Sequence, residues 1–335
     1  MGKPQVASHW NTGRAEGYAK LESMAIRLIA LDIDGTLLNS RFAVSERNRG
    51  AIAEATRRGI EVALVTGRRY DFALPVARQI ESPLTMIVNN GALVRTKEGH
   101  THVRHLLPRE TALRVLEATQ AWRSGASVVF DRPQARQIMV EKIDLADGIR
   151  GAYYRYNLPF LAEACPLESC LSEAEDPIQV MLAGPVQPMR EAESALRGVQ
   201  FSGSQLSHKS WGFKSISSEA KAPGLRDVNL AFSLAMTAYE ARDFSMIDIL
   251  NPRISKGVTL AEWAAMRGVA REEILAIGDN HNDEEMLSFA GIPVVMENAV
   301  AELKTRGWHV TRSNDEDGVA AAIERYVLRE TPECA

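Results

Sequence analysis

Residues 26–31 (IRLIAL) form a short, mostly apolar run without alternation, the pattern of a strand buried on both faces of a parallel sheet. The run stops in DIDGT, where Gly35 signals a turn. Ser45 then opens a helical pattern through Ile52, Ala53 and Ala55 that Gly59 closes, the placements of an N-cap and a C′ residue. A second buried-strand run, 62–65, ends in TGR; a helix is predicted over 70–80, and a third strand, 86–88, ends in NNG. The same grammar returns near the C-terminus. A helix over 259–267 leads to a strand at 274–277 that runs into GDNHND, followed by a helix at 284–289, a strand at 292–296 and a helix at 318–327. Strands alternating with helices predict an α/β fold with a Rossmann-like, doubly wound parallel-sheet core.

Between these blocks the pattern changes to shorter strands (128–130, 137–140, 178–182, 245–250) and amphipathic helices (110–122, 189–196). This reads as an α+β domain, 92–251, inserted into a discontinuous core formed by 24–91 and 252–331. Residues 1–23 have no apolar stretch and read as a disordered extension, with Met24 an alternative natural start. Residues 202–227 are rich in Ser, Lys and Gly without a sustained period, and read as a surface loop inside the insert.

Composition narrows the field. The 335 residues suit two domains, and 45% hydrophobic with 24% charged content supports a normal core. A formal net charge of −4 argues against a nucleic-acid-binding protein. No apolar run is long enough for a bilayer, and three cysteines without repeated spacing (Cys165, Cys170, Cys334) read as reduced thiols of a cytoplasmic protein.

Several polar clusters each follow a predicted strand. In an open α/β sheet the carboxyl ends of the strands form the ligand crevice, so Asp32, Asp34, Thr66, Asn89, Asn90 and Asp279 should share one edge. Two carboxylates in DIDGT would be solvated turn residues if isolated. On a shared edge, one can attack phosphorus while the other handles protons, splitting a displacement through a covalent intermediate. An anionic attacker approaching a phosphate needs a cation, and Mg²⁺, with its oxygen ligands, suits the task. Asp279, ending a buried run, and Asp283, four residues on, supply further carboxylates; Asp283 equally suits a helix N-terminus. Thr66 and Gly67 offer a hydroxyl and an open backbone N–H as a phosphate cradle, with simple N-capping by Thr66 an equal alternative. Lys256, in ISKG, would set a fixed positive charge beside the phosphate and the attacking carboxylate.

DIDGT (32–36), VTGR (65–68), SKG (255–257) and GDNHND (278–283), in that order, resemble the four motifs of the haloacid-dehalogenase-like hydrolase superfamily. NNGA (89–92) and an insert between the second and third motifs resemble its Cof-type branch of sugar-phosphate phosphatases. The resemblance implies a Mg²⁺-dependent phosphatase acting on a small phosphorylated substrate through an aspartyl-phosphate. Asp32 matches the nucleophile and Asp34 the general acid/base. Thr66, Gly67 and Lys256 match phosphate-binding residues, Asn282 a phosphate-contacting amide, and Asn90 a residue near the leaving group. The metal would be held by Asp32, the backbone carbonyl of Asp34 and Asp279, with Asp283 orienting bound water. The insert resembles an α/β cap that excludes water and selects substrate; the 202–227 stretch has no expected counterpart in it. A phosphomutase or phosphotransferase would use the same residues, and a binding protein retaining the fold is the third reading. The motifs name neither one substrate nor an oligomeric state.

Overall fold

The structure, a computed structural model, describes residues 25–133, 135–172, 175–201, 232–239 and 242–328. The proposed N-terminal extension, 1–23, and the 202–227 stretch lie outside the described residues. The chain divides into two compact units, Met1–Arg104 with Ser255–Ala335, and His105–Ile254.

The first unit opens with β1 (Leu28–Leu31), α1 (Glu46–Arg57), β2 (Glu61–Val65), α2 (Tyr70–Ala77) and β3 (Thr85–Val88). All four residues of β1 and of β3 are buried, as expected of strands covered on both faces. The Ser45 side chain accepts from the Asn48 N–H at the start of α1, and Gly59 follows its end with φ +81°, the left-handed conformation that glycine adopts without penalty. Strands β4 (Leu93–Thr96) and β5 (Thr101–Arg104) follow and pair antiparallel, β4 against β3 and β5 against β4. These strands extend the core sheet. The inserted unit therefore begins at His105 and ends at Ile254, correcting the boundaries of 92 and 251 read from the sequence.

The inserted unit holds α3 (Arg109–Ala118), β6 (Ala126–Val129), β7 (Ile138–Val140), α4 (Gly151–Asn157), β8 (Leu161–Glu163), β9 (Gln179–Gly184), α5 (Val186–Phe201), β10 (Ser233–Tyr239) and β11 (Phe244–Leu250). Its sheet runs β10-β11-β9-β6-β7-β8 and is antiparallel except for the β7–β8 pair. Val128, Met139, Val180, Leu182, Ile247 and Ile249 pack in one apolar cluster with Val115, Leu116, Met189 and Leu196 of α3 and α5.

The chain returns to the first unit through α6 (Lys256–Met266), β12 (Ile274–Gly278), α7 (Glu284–Phe289), β13 (Ile292–Val295), α8 (Ala301–Lys304), β14 (His309–Val310) and α9 (Gly318–Tyr326). The core sheet has the order β14-β13-β12-β1-β2-β3-β4-β5. Its β14-to-β3 portion is parallel, and the order reverses at β1, which pairs with β2 on one side and β12 on the other. This is the doubly wound arrangement, and ligands of such sheets bind beyond the carboxyl ends of the strands where the order reverses. Register brings the polar turns level: Leu31 pairs with both Ile277 and Leu64, so Asp32 emerges beside the ends of β12 and β2.

Candidate active site

Asp32 continues the sheet ladder by one bond, its N–H donating to the Ile277 carbonyl at 3.0 Å, so its side chain is fixed from a buried backbone. Asp279 follows β12 directly, and the Thr36 hydroxyl donates to its Oδ1 at 2.9 Å. Asp283 closes the next turn: its Oδ2 accepts the N–H groups of Asp279 and Asn280, both at 3.0 Å. Asp283 stands at the N-cap position of α7, but its side chain makes no cap bond to that helix and turns to the acidic cluster instead. Lys256, the first residue of α6, is 1% exposed and donates to Asp32 Oδ1 at 2.6 Å and Asp283 Oδ1 at 2.7 Å. Ser255 caps that helix, accepting from the Val258 N–H. Two glycines make room. A Cβ on Gly35, whose φ is +81°, would stand 2.3 Å from Asp279 Oδ2, and one on Gly257 would meet the Glu285 backbone at 2.5 Å. Asp279 and α7 can approach only because neither position carries a side chain.

The cluster has more negative charge than it can neutralise. One carboxylate oxygen each from Asp32, Asp279 and Asp283 lie within 4.8 Å of one another, all three residues buried, with one ammonium bonded to two of them. Burial, then the Asp283 charge, pushes the Asp32 carboxyl up to about 7 against the pull of Lys256. Burial, Asp32 and Asp283 likewise hold Asp279 well above the usual carboxylate range. For Lys256 burial works against the charge, but Asp283 and Asp32 outweigh it and hold the ammonium above its ordinary range. A hard divalent cation would supply the missing charge, and an all-oxygen, all-carboxylate donor set fits such an ion, Mg²⁺ included, better than a thiolate- or imidazole-seeking metal.

On the β2 and β3 side, Thr66 is buried, its N–H bonded to Ile87 and its carbonyl to the Asn90 N–H. Its hydroxyl accepts from the Arg68 N–H at 3.1 Å. Helix α2 starts at Tyr70 with Arg69 at its N-cap, so the N-capping alternative for Thr66 is overturned: the helix begins too far along the chain. Gly67 packs under Asn90, whose side-chain oxygen would lie 3.1 Å from a Cβ there. Asn89 and Asn90 both take left-handed backbone conformations, φ +52° and +51°, turning the chain sharply at the end of β3. The Asn282 amide donates to Asn90 Oδ1 at 3.3 Å, joining the turns after β12 and β3.

Asp34 stands apart from the acidic cluster. Its carboxylate is gripped by Arg68, with Nε to Oδ2 at 2.7 Å and Nη2 to Oδ1 at 2.6 Å. As a metal ligand it would therefore offer its backbone carbonyl, the atom that the family resemblance implies. The sequence alone gives Thr36 and Arg68 no role. Both lie inside the quoted motifs, DIDGT and VTGR, which is the signal that pointed to them.

A family profile described as haloacid dehalogenase-like hydrolase matches residues 29–144 and 227–323. Phosphatase YwpJ of Bacillus subtilis is 27% identical over 307 residues, covering 90% of this chain and 100% of that protein. The 5-amino-6-(5-phospho-D-ribitylamino)uracil phosphatase YwtE of the same organism is 28% identical over 306 residues, covering 90% of this chain and 98% of that protein. Among solved structures, a haloacid dehalogenase-like hydrolase from Bacillus subtilis superposes with a TM-score of 0.68 at 23% identity, over 90% of this chain and 100% of the other. One from Bacteroides thetaiotaomicron gives 0.65 at 24% identity, over 90% and 99%. The profile spans both halves of the core sheet and every motif that lines its reversal point, and the chain belongs to the haloacid dehalogenase-like hydrolase family.

Proposed function

We propose that this chain is a Mg²⁺-dependent phosphatase that hydrolyses a small phosphomonoester, a sugar phosphate or related metabolite, with Asp32 as nucleophile. The observation that carries this reading is the buried cluster of Asp32, Asp279 and Asp283, in which one ammonium, that of Lys256, is bonded to Asp32 and Asp283. Asp32, Asp279, Asp283 and the Asp34 carbonyl would hold the ion between them, directly or through water. When bound, Mg²⁺ supplies the positive charge that lets an anionic carboxylate approach an anionic phosphate.

Lys256 holds Asp32 by one oxygen, which leaves the other carboxylate oxygen as the attacking atom. Attack on phosphorus forms the Asp32–phosphate bond and breaks the ester bond, and the Asp34 carboxyl gives its proton to the departing oxygen. Asp34, now a carboxylate, takes a proton from water as that water's oxygen bonds to phosphorus. The Asp32–phosphorus bond breaks, phosphate leaves, and both carboxyl groups return to their starting forms. The Thr66 hydroxyl, the Gly67 N–H and the Asn282 amide are the donors that would hold the phosphoryl oxygens. Asn90 would stand near the leaving group.

The relatives named as phosphatases support hydrolysis over transfer to a second sugar. The decisive assay offers a panel of phosphorylated metabolites in isotopically labelled water, with EDTA or Mg²⁺. Hydrolysis releases labelled phosphate only when Mg²⁺ is present. Unlabelled phosphate moved to another position of the sugar would identify a mutase, and turnover indifferent to EDTA would refute the metal assignment.

A further inference from the structure

We propose that Arg68 is a positioning residue that fixes the carboxyl of Asp34 for proton transfer to the leaving group. The inference rests on the phosphatase reading above. Its geometric basis is the paired contact of Arg68 Nε and Nη2 with the two oxygens of Asp34, at 2.7 and 2.6 Å. Two parallel bonds from a planar guanidinium set the plane and rotamer of a carboxylate, which a single bond does not. Arg68 is itself held firmly. Its N–H donates to the Thr66 hydroxyl, its carbonyl accepts from the Asn89 N–H at 2.9 Å, and its Nη1 donates to the Phe72 carbonyl at 3.2 Å. Asp34 has no comparable burial: its side chain is 41% exposed, against 6% for Asp32. A carboxylate that exposed would sample several rotamers on its own. The fixed arm of Arg68 supplies the order that burial gives to Asp32.

The chemistry follows from position. As the ester bond breaks, a proton leaves Asp34 for the departing oxygen; in the second half a proton from water returns to Asp34. Both transfers need the carboxyl within hydrogen-bond reach of the reacting oxygen, and misplacement by about 1 Å can cost on the order of a hundredfold in rate. Arg68 acts through Asp34, so its loss should matter in proportion to how much the leaving group needs a proton.

The test measures kcat/KM, with Mg²⁺ present, for aryl phosphates graded from nitrophenyl to methoxyphenyl in the wild type and in Arg68→Ala, Arg68→Lys, Asp34→Asn and the Arg68→Ala/Asp34→Asn double variant. This constant reports the steps through release of the phenol. The wild type should depend weakly on leaving-group basicity. Arg68→Ala and Arg68→Lys should depend on it steeply, losing roughly tenfold more on the methoxyphenyl than on the nitrophenyl ester. Lysine keeps the charge but not the paired geometry, so it also serves if the alanine variant folds poorly. Adding Arg68→Ala to Asp34→Asn should cost nothing further. An equal loss on all esters, full rescue by lysine, or additive losses would overturn the positioning role while leaving the phosphatase reading intact. A wild type inactive on every ester would overturn that reading and the inference with it.

Discussion

At the scale of single residues, the site is governed by an imbalance of charge. Lys256 touches two of three buried carboxylates, and removing it leaves both without their counter-charge in a dry environment. Breaking a buried pair from one side is destabilising by about 3–5 kcal/mol. Lys256→Met should therefore lower stability by roughly that amount in chelator, measured by denaturant unfolding, and Mg²⁺ should recover part of it. A variant as stable as the parent in EDTA would contradict this account of the cluster. Gly35 makes a second residue-scale case. A methyl group there would lie 2.3 Å from an Asp279 oxygen and would also sit at a positive φ, so Gly35→Ala should displace Asp279 and abolish the response of the melting temperature to Mg²⁺.

At the scale of elements, much of the core was legible because its strands carry a strong signal. A run such as 274–277, apolar throughout, has one plausible fate between two helices, and the observed β12 extends it by a single residue. Helix α7 matches its sequence-read limits, 284–289. Strands β4 and β5 were not read, because LVRT and THVR mix charge and apolar residues and become strands only by pairing with β3 and with each other. The same limit hid Arg68: a sequence shows that an arginine follows TG, but not which carboxylate its guanidinium meets. A place for Lys256 beside the attacking carboxylate is legible only through the motif order, since a lone lysine in a helix start is ordinarily solvated, and its burial is not legible at all.

Element termini also carry their own pH dependence. Before α4, Asp147 bonds the Arg150 side chain and the N–H groups of Arg150 and Ile149, which holds its carboxyl down at about 2. A carboxyl held below its unfolded value contributes stability above about pH 4 and loses it as pH falls toward 2. Asp147→Asn should accordingly melt below the parent at pH 6, and the gap should close as the pH drops. A gap independent of pH would mean that the Arg150 pairing contributes nothing.

At the scale of the whole molecule, no helix among the described residues is long and apolar enough to cross a membrane. Cys165 and Cys170, the described cysteines, are both free of disulfides. In the first unit, a cation in the acidic cluster would add to what the buried core contributes. A ligand that binds only the folded state adds about 2.7 kcal/mol at a hundredfold excess over its dissociation constant. Mg²⁺ should raise the melting temperature in a concentration-dependent way in the parent chain, and Asp279→Asn should remove most of that rise.

With Asp32 as nucleophile, that residue becomes phosphorylated during turnover, and Asp34→Asn offers the direct view of it. With a nitrophenyl ester the first half needs no proton, while the second half lacks its base, so the covalent species should accumulate. The measurement is an acid quench after mixing with Mg²⁺ and this ester, borohydride reduction of any acyl phosphate, and peptide mass mapping. A burst of one nitrophenolate per chain and homoserine at position 32 are expected. A burst with residue 32 unmodified, or with the reduced residue elsewhere in the chain, would contradict Asp32 as the nucleophile.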